Sequence, residues 1–234
     1  MNILFFDTSQ GVTSICASIN GVLQPAFHDA QPSRQAELLV SQVEEYVAKC
    51  GMKWNAFQAI GCVNGIGGFT SVRIGVAAAR GLAMAAGVQP IGIELMQIIA
   101  YHYFSLHPPC VLQCVIPAGN NFVAVQHFNG SHLENQPMEV LERQDFLPSQ
   151  NMCVLPNIAD FGGLVFPLED CAEIAVQMLL EHGWQHLPPP IPLYARPADA
   201  KVGTPLLKTP HPNPLPQGER EQTELVVNFL FKTN

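Results

Sequence analysis

Asp7-Thr8-Ser9 closes a short apolar run, Ile3 to Phe6, and leads into a turn at Gln10-Gly11. A carboxylate followed by two hydroxyls at the end of a first strand can hold hydrated magnesium and turn its amides to phosphate. The same three residues also make an ordinary hairpin turn, with Asp and Ser bonding their own backbone. ATP chemistry would need a second phosphate loop and an adenosine motif further along, and Asp160-Phe-Gly-Gly163 is the one candidate. The hairpin reading is therefore preferred, and Asp7, Thr8 and Ser9 are at most a vestigial phosphate loop. Gly65-Ile-Gly-Gly68 precedes a helical pattern and could cradle an anion at a helix N-terminus. No Lys follows it as in a P-loop, so the glycines are read as a sharp strand-to-helix turn.

Other constellations are weaker. His182 and His186 are four apart with Glu181 beside them, but Gly183 ends the helix between them and no third ligand is apparent. No metal is expected. No Gly-x-Ser-x-Gly occurs and the serines and histidines are scattered, so no catalytic residue is assigned. The seven cysteines (Cys16, Cys50, Cys62, Cys110, Cys114, Cys153 and Cys171) are odd in number and contain no Cys-x-x-Cys, which points to buried free thiols in a reducing compartment. Arg73 and Arg80 lie seven apart, on one helix face. They read either as a solvated stripe or as the charged rim of an interface.

The elements that would carry these residues follow from local pattern. Asn20-Gly21 is a two-residue hairpin signal between Thr13 to Ile19 and Val22-Leu23, so the chain opens with three antiparallel strands. Ser33 to Cys50 is predicted as a helix with Leu39, Val43, Tyr46, Val47 and Cys50 at helical spacing, capped by Gly51. Ala36 and Val40 widen that stripe beyond one face, which fits either a well-covered core helix or one with the sheet behind it and a partner in front. Ala59 to Val63 is a buried strand. A second helix spans Phe69 to Ala86, capped by Thr70 or Ser71, and is built of small residues including Gly75, Ala77, Ala78, Gly81 and Ala83. Pro90 to Ile93 is a strand and Glu94 to Leu106 a helix.

Beyond Cys110 the pattern restarts, with strands at Val111 to Ile116, Phe122 to Phe128, Met138 to Leu141, Met152 to Leu155 and Leu164 to Phe166, then a helix from Glu169 to His182. The predicted class is a two-lobed α/β fold, divided as 1–107, 108–196 and a Pro-rich tail at 197–234. The tail is read as disordered, with a further strand at Glu224 to Phe231 left open.

Bulk composition narrows the function. The 234-residue chain is 48% hydrophobic and only 13% charged, so its surface is compact or partly covered by a partner. Its net charge of −8 and lack of a Lys/Arg run argue against gripping nucleic acid alone. The apolar stretch Val72 to Ile93 is broken by Arg73 and Arg80 and is a poor membrane span. The N-terminal apolar run is short and has no basic segment before it, so it reads as a first strand. A cytoplasmic protein is the expectation.

Three stretches together resemble the TsaB/YeaZ family: Ile3-Leu-Phe-Phe-Asp-Thr-Ser9 before a hairpin; Gly65 to Gly75, continuing through Ala79-Arg-Gly-Leu-Ala83 to Pro90-Ile-Gly-Ile93; and Pro192-Leu-Tyr-Ala-Arg196. Their order and separation match the family over roughly residues 1 to 196. The resemblance implies an actin-like ATPase fold (ASKHA, ribonuclease H-like) of two lobes, the second reduced. It implies a non-catalytic subunit that pairs with a catalytic TsaD-like sister and works with a TsaE-like ATPase to place threonylcarbamoyl on the adenosine beside the tRNA anticodon. It implies contact with tRNA only through the complex, self-pairing when unpartnered, and ATP or ADP with Mg at the partner interface and no cofactor by itself. The partner would meet the first two helices, through Leu39, Val43, Tyr46 and Val47 on one and Arg73, Ala77, Ala78, Arg80 and Gly81 on the other. The chain departs from the family loop Gly-Pro-Gly-Ser-Phe-Thr-Gly at Ile66, Gly68 and Ser71. At the start of the first long helix it keeps only Glu37 of a His-Ser-Glu pattern.

Overall fold

A computed structural model describes residues 1–31, 34–130 and 137–195. These fall in one unit, Met1–Pro197, and the other unit, Ala198–Asn234, lies outside the described residues. So do Ser33 and Arg196, the expected disordered tail and its strand at Glu224 to Phe231.

Strand β1 (Ile3–Asp7) is the centre of the first sheet. All five of its residues are buried, because helices cover both faces of the sheet. Strand β2 (Thr13–Ile19) pairs antiparallel to it and turns into β3 (Val22–Leu23) through Asn20 and Gly21, both at positive φ (54° and 79°), as the hairpin signal requires. A further strand, β4 (Phe27–Asp29), also pairs with β2 and was not expected from the sequence. On the other side β5 (Ala59–Gly65) and β6 (Gln89–Glu94) add in parallel, giving the order β3-β2-β1-β5-β6. Helix α1 (Gln35–Lys49) leads into β5, α2 (Phe69–Ala86) connects β5 to β6, and α3 (Leu95–Leu106) follows.

The second sheet repeats this order. Strands β7 (Val111–Pro117), β8 (Phe122–Asn129) and β9 (Glu139–Glu142) form an antiparallel meander. Strands β10 (Met152–Val154) and β11 (Leu164–Val165) add in parallel beside β7. The order β9-β8-β7-β10-β11 is thus the third, second, first, fourth and fifth strand of this sheet, and the first sheet follows the same path once β4, which pairs with β2 off that path, is set aside. Where the first sheet places α2 between β5 and β6, the second has a 3₁₀ segment, Pro156–Phe161, between β10 and β11. Its final helix, α4 (Cys171–His182), packs back on β1 and β2.

Alternation along β1 separates the two cores. Leu4 and Phe6 face α1 and α2 together with Ile60 and Cys62. Ile3 and Phe5 face the opposite way, into a cluster shared with α3, α4 and the second sheet. Helix α2 runs between the residues read from sequence, but its N-cap is Gly68 and not Thr70 or Ser71, which lie inside the first turn. The Gly68 N–H donates to the Ser9 carbonyl at 2.9 Å, which ties the start of α2 to the turn after β1.

Candidate functional site

The Asp7-Thr8-Ser9 turn sits beneath the start of α2. The Ser9 N–H donates to Asp7 Oδ1 at 2.7 Å, and the Thr8 hydroxyl donates to the Ser71 carbonyl at 2.7 Å. Gln10 Nε2 donates to the Ile66 carbonyl at 2.8 Å, and Gln35 Nε2 donates to the Thr8 carbonyl at 3.3 Å. A Cβ on Gly75 would lie 2.7 Å from the Thr8 hydroxyl, so this glycine lets the helix settle on the turn.

Asp7, Thr8 and Ser9 are all at most 2% exposed. Burial raises the Asp7 carboxyl above its usual range, offset in part by hydrogen bonds from Ser9 and by the Cys171 thiol against it. The same burial, with Asp7 adjacent, pushes the Cys171 thiol well up. A hydrated magnesium–phosphate group needs a solvated carboxylate and free turn donors. Here the carboxylate is desolvated, and the Ser9 amide and Thr8 hydroxyl are given to the chain itself. The residues do not fit a nucleotide phosphate, and no chemical step is assigned to this turn.

The outer surface of α1 and α2 has a different character. Leu39, Val43, Tyr46 and Val47 are 0 to 6% exposed and belong to the core beneath α1. The Tyr46 hydroxyl is fixed there, donating to the Pro25 carbonyl at 2.9 Å and accepting the Ala17 N–H at 3.1 Å. These four side chains, expected to meet a partner, face the sheet, and the exposed face of α1 carries Ala36, Val40, Ser41, Glu44 and Glu45. On α2, Ala78 is half-buried against the core, whereas Arg73, Ala77, Arg80 and Gly81 are exposed. Phe69 and Met84, which the sequence reading did not single out, extend that stripe, Met84 being 82% exposed. Their spacing with Arg73, Ala77 and Gly81 was the available signal.

A third element reaches this surface. From Pro188 the chain runs over the carboxyl ends of β5 and β6, the Pro188 carbonyl accepting from Gly92 N–H at 3.0 Å and the Leu193 N–H donating to the Asn64 carbonyl at 2.7 Å. Tyr194 then packs against Phe69 with ring centroids 4.7 Å apart and planes tilted by 32°, and its hydroxyl accepts from Arg73 Nε at 3.0 Å. The Arg73 guanidinium lies 3.8 Å from the Phe69 ring centroid.

Of the other candidates, His182 ends α4 and packs edge-on to Tyr101, with His186 beyond the helix. Among the described residues no group of three or more His, Cys, Asp or Glu is placed to hold a metal ion. The described cysteines are free, and Cys114 and Cys153 are buried partners in adjacent strands. No helix among the described residues is long and apolar enough to cross a membrane.

Comparison with known proteins places this geometry. The family model described as "TsaD: tRNA N6-adenosine threonylcarbamoyltransferase" matches residues 31–147, half of the chain. The tRNA threonylcarbamoyladenosine biosynthesis protein TsaB of Escherichia coli K12 is 28% identical over 100 residues, covering 43% of each chain. TsaB of Haemophilus influenzae is 30% identical over 107 residues, 46% of this chain and 45% of that one.

The chain belongs to the TsaB/YeaZ family.

The matched stretch spans under half the length of these curated relatives. The solved YeaZ of Pseudomonas aeruginosa has 18% identity and a TM-score of 0.64, covering 82% of this chain and 99% of that one. At that identity the likeness speaks for the fold, and the fold of this TsaB/YeaZ member is the actin-like α/β one with two sheets.

Proposed function

We propose that this TsaB/YeaZ member is a non-catalytic partner subunit in the cytoplasmic complex that places threonylcarbamoyl on tRNA. It pairs with a TsaD-like catalytic subunit through the outer faces of α1 and α2. The observation that carries this reading is Gly81. It is exposed in the middle of α2, and a Cβ there would meet nothing within 4 Å. A mid-helix glycine costs about 1 kcal/mol relative to alanine, and nothing among the described residues requires it. With Ala77 and the exposed Met84 beside it, it leaves space for another helix to come close.

The closed Asp7 turn supports the other half of the reading, that the chain performs no phosphate chemistry of its own. ATP or ADP with Mg belongs to the assembled complex, together with a TsaE-like ATPase, and tRNA is met through the partner. Without a partner, the same face pairs two copies of the chain.

Light scattering on a mixture with the TsaD-like subunit tests this. A one-to-one complex at micromolar concentration, lost in Ala77→Arg while that variant keeps its melting temperature, is the expected result. Absence of a complex, or an Ala77→Arg variant that still binds, would overturn it. Tight Mg-ATP binding with turnover by the chain alone would replace it with an enzymatic role.

A further inference from the structure

We propose that Arg73, held between Phe69 and Tyr194, is a preformed receptor for a carboxylate on the partner protein, and that the arm Pro188 to Tyr194 sets its affinity. This rests on the reading of α1 and α2 as the partner face.

An exposed arginine normally samples many rotamers, and ordering it on binding is costly. Here its guanidinium is already stacked on Phe69 and its Nε is already bonded to Tyr194. That leaves the two terminal nitrogens, the pair that grips a planar oxyanion in fork fashion. Among the described residues Arg73 makes no ion pair; the two salt bridges there are Arg34–Glu37 and Arg143–Asp160. The arm that supplies Tyr194 is itself fixed on the ends of β5 and β6, so the arginine is held by the body of the protein rather than by its own helix alone.

Charge selects the source of the oxyanion. Helix α2 carries Arg73 and Arg80 and no acidic residue, whereas the exposed face of the neighbouring α1 carries Glu44 and Glu45, with Glu37 paired to Arg34 at its start and Lys49 at its end. A polyanionic nucleic acid laid on Arg73 would meet those glutamates and a chain of net charge −8. A protein surface that sets an acidic side chain against α2 meets no such conflict, and the small and apolar residues Ala77, Gly81, Met84 and Val40 suit a protein contact.

The test is calorimetric titration of the chain with the TsaD-like subunit of its own organism, at about 50 and about 300 mM NaCl. Arg73→Gln is expected to weaken binding about 30-fold and to flatten the salt dependence. Arg73→Lys, which keeps charge but lacks the fork and the Nε bond, should recover only part of the loss. Tyr194→Phe should weaken binding about threefold with the salt dependence intact, since the charge remains. Arg143→Gln, which alters an arginine of the second half paired with Asp160 and away from α1 and α2, should change affinity by about twofold at most. If Arg73→Gln binds within about twofold of the wild type while Ala77→Arg abolishes binding, the receptor idea falls and the partner face stands. If the wild-type chain forms no complex, both fall. If the chain alone binds tRNA and loses that binding in Arg73→Gln, the oxyanion is a phosphate and the carboxylate proposal is overturned.

Discussion

Gly75 and Gly81 lie on one helix and answer to different demands. Gly75 is buried where its missing Cβ admits the Thr8 hydroxyl, so Gly75→Ala should destabilise the chain by about 1–2 kcal/mol in a denaturant titration. Gly81 faces open space, so Gly81→Ala should stabilise the isolated chain by about 1 kcal/mol, whereas Gly81→Leu should weaken partner binding more than about tenfold. Asp7 gives a pH signature. Burial raises its folded-state pKa, so its contribution favours folding while it is protonated and is lost as pH rises through that raised value. Asp7→Asn should therefore flatten the decline in stability above about pH 4 and gain most at neutral pH, measured by denaturation across that range. The sequence named Asp7-Thr8-Ser9 and favoured a hairpin turn over a phosphate loop. Their contacts to Ser71, Gly68 and Cys171 span too many residues for a local pattern to show.

At the scale of elements, strong local signals carried most of the reading. Asn20-Gly21 dictates its hairpin, and α2 has the limits its small residues suggest because Gly87, at φ 69°, ends it. Strand β4 escaped notice because Phe27-His28-Asp29 has no alternating run of its own and is a strand only by lying against β2. The wide apolar stripe of α1 showed a helix but not its orientation; the Tyr46 hydroxyl bonds to Ala17 and Pro25 fix which side faces the sheet. The arm before Tyr194 was legible as extended from its prolines, but its pairing with Arg73 crosses 121 residues of sequence. It packs so closely that a Cβ on Gly92 would fall 2.7 Å from Pro190 Cα. Gly92→Ala should push the arm away, lowering the melting temperature by several degrees for a loss of about 1–2 kcal/mol and weakening partner binding through Tyr194.

For the whole described molecule, one strand order is used twice, with helices laid unevenly over it. The first sheet keeps α1 and α2 on one face and α4 on the other, and these helices close the Asp7 turn from both sides. The second sheet has a 3₁₀ segment where the first has α2. The result is a molecule whose chemistry-bearing turn is sealed and whose exposed helices are apolar, small and divided in charge. We propose that the chain acts through that face and not through that turn. Reconstituted transfer of threonylcarbamoyl to tRNA, with the TsaD-like subunit and either wild-type chain, Asp7→Asn or Ala77→Arg, tests it most directly. Asp7→Asn is expected to support transfer within about twofold of wild type and Ala77→Arg to reduce it to the level without the chain. Transfer lost in Asp7→Asn but kept in Ala77→Arg would contradict it.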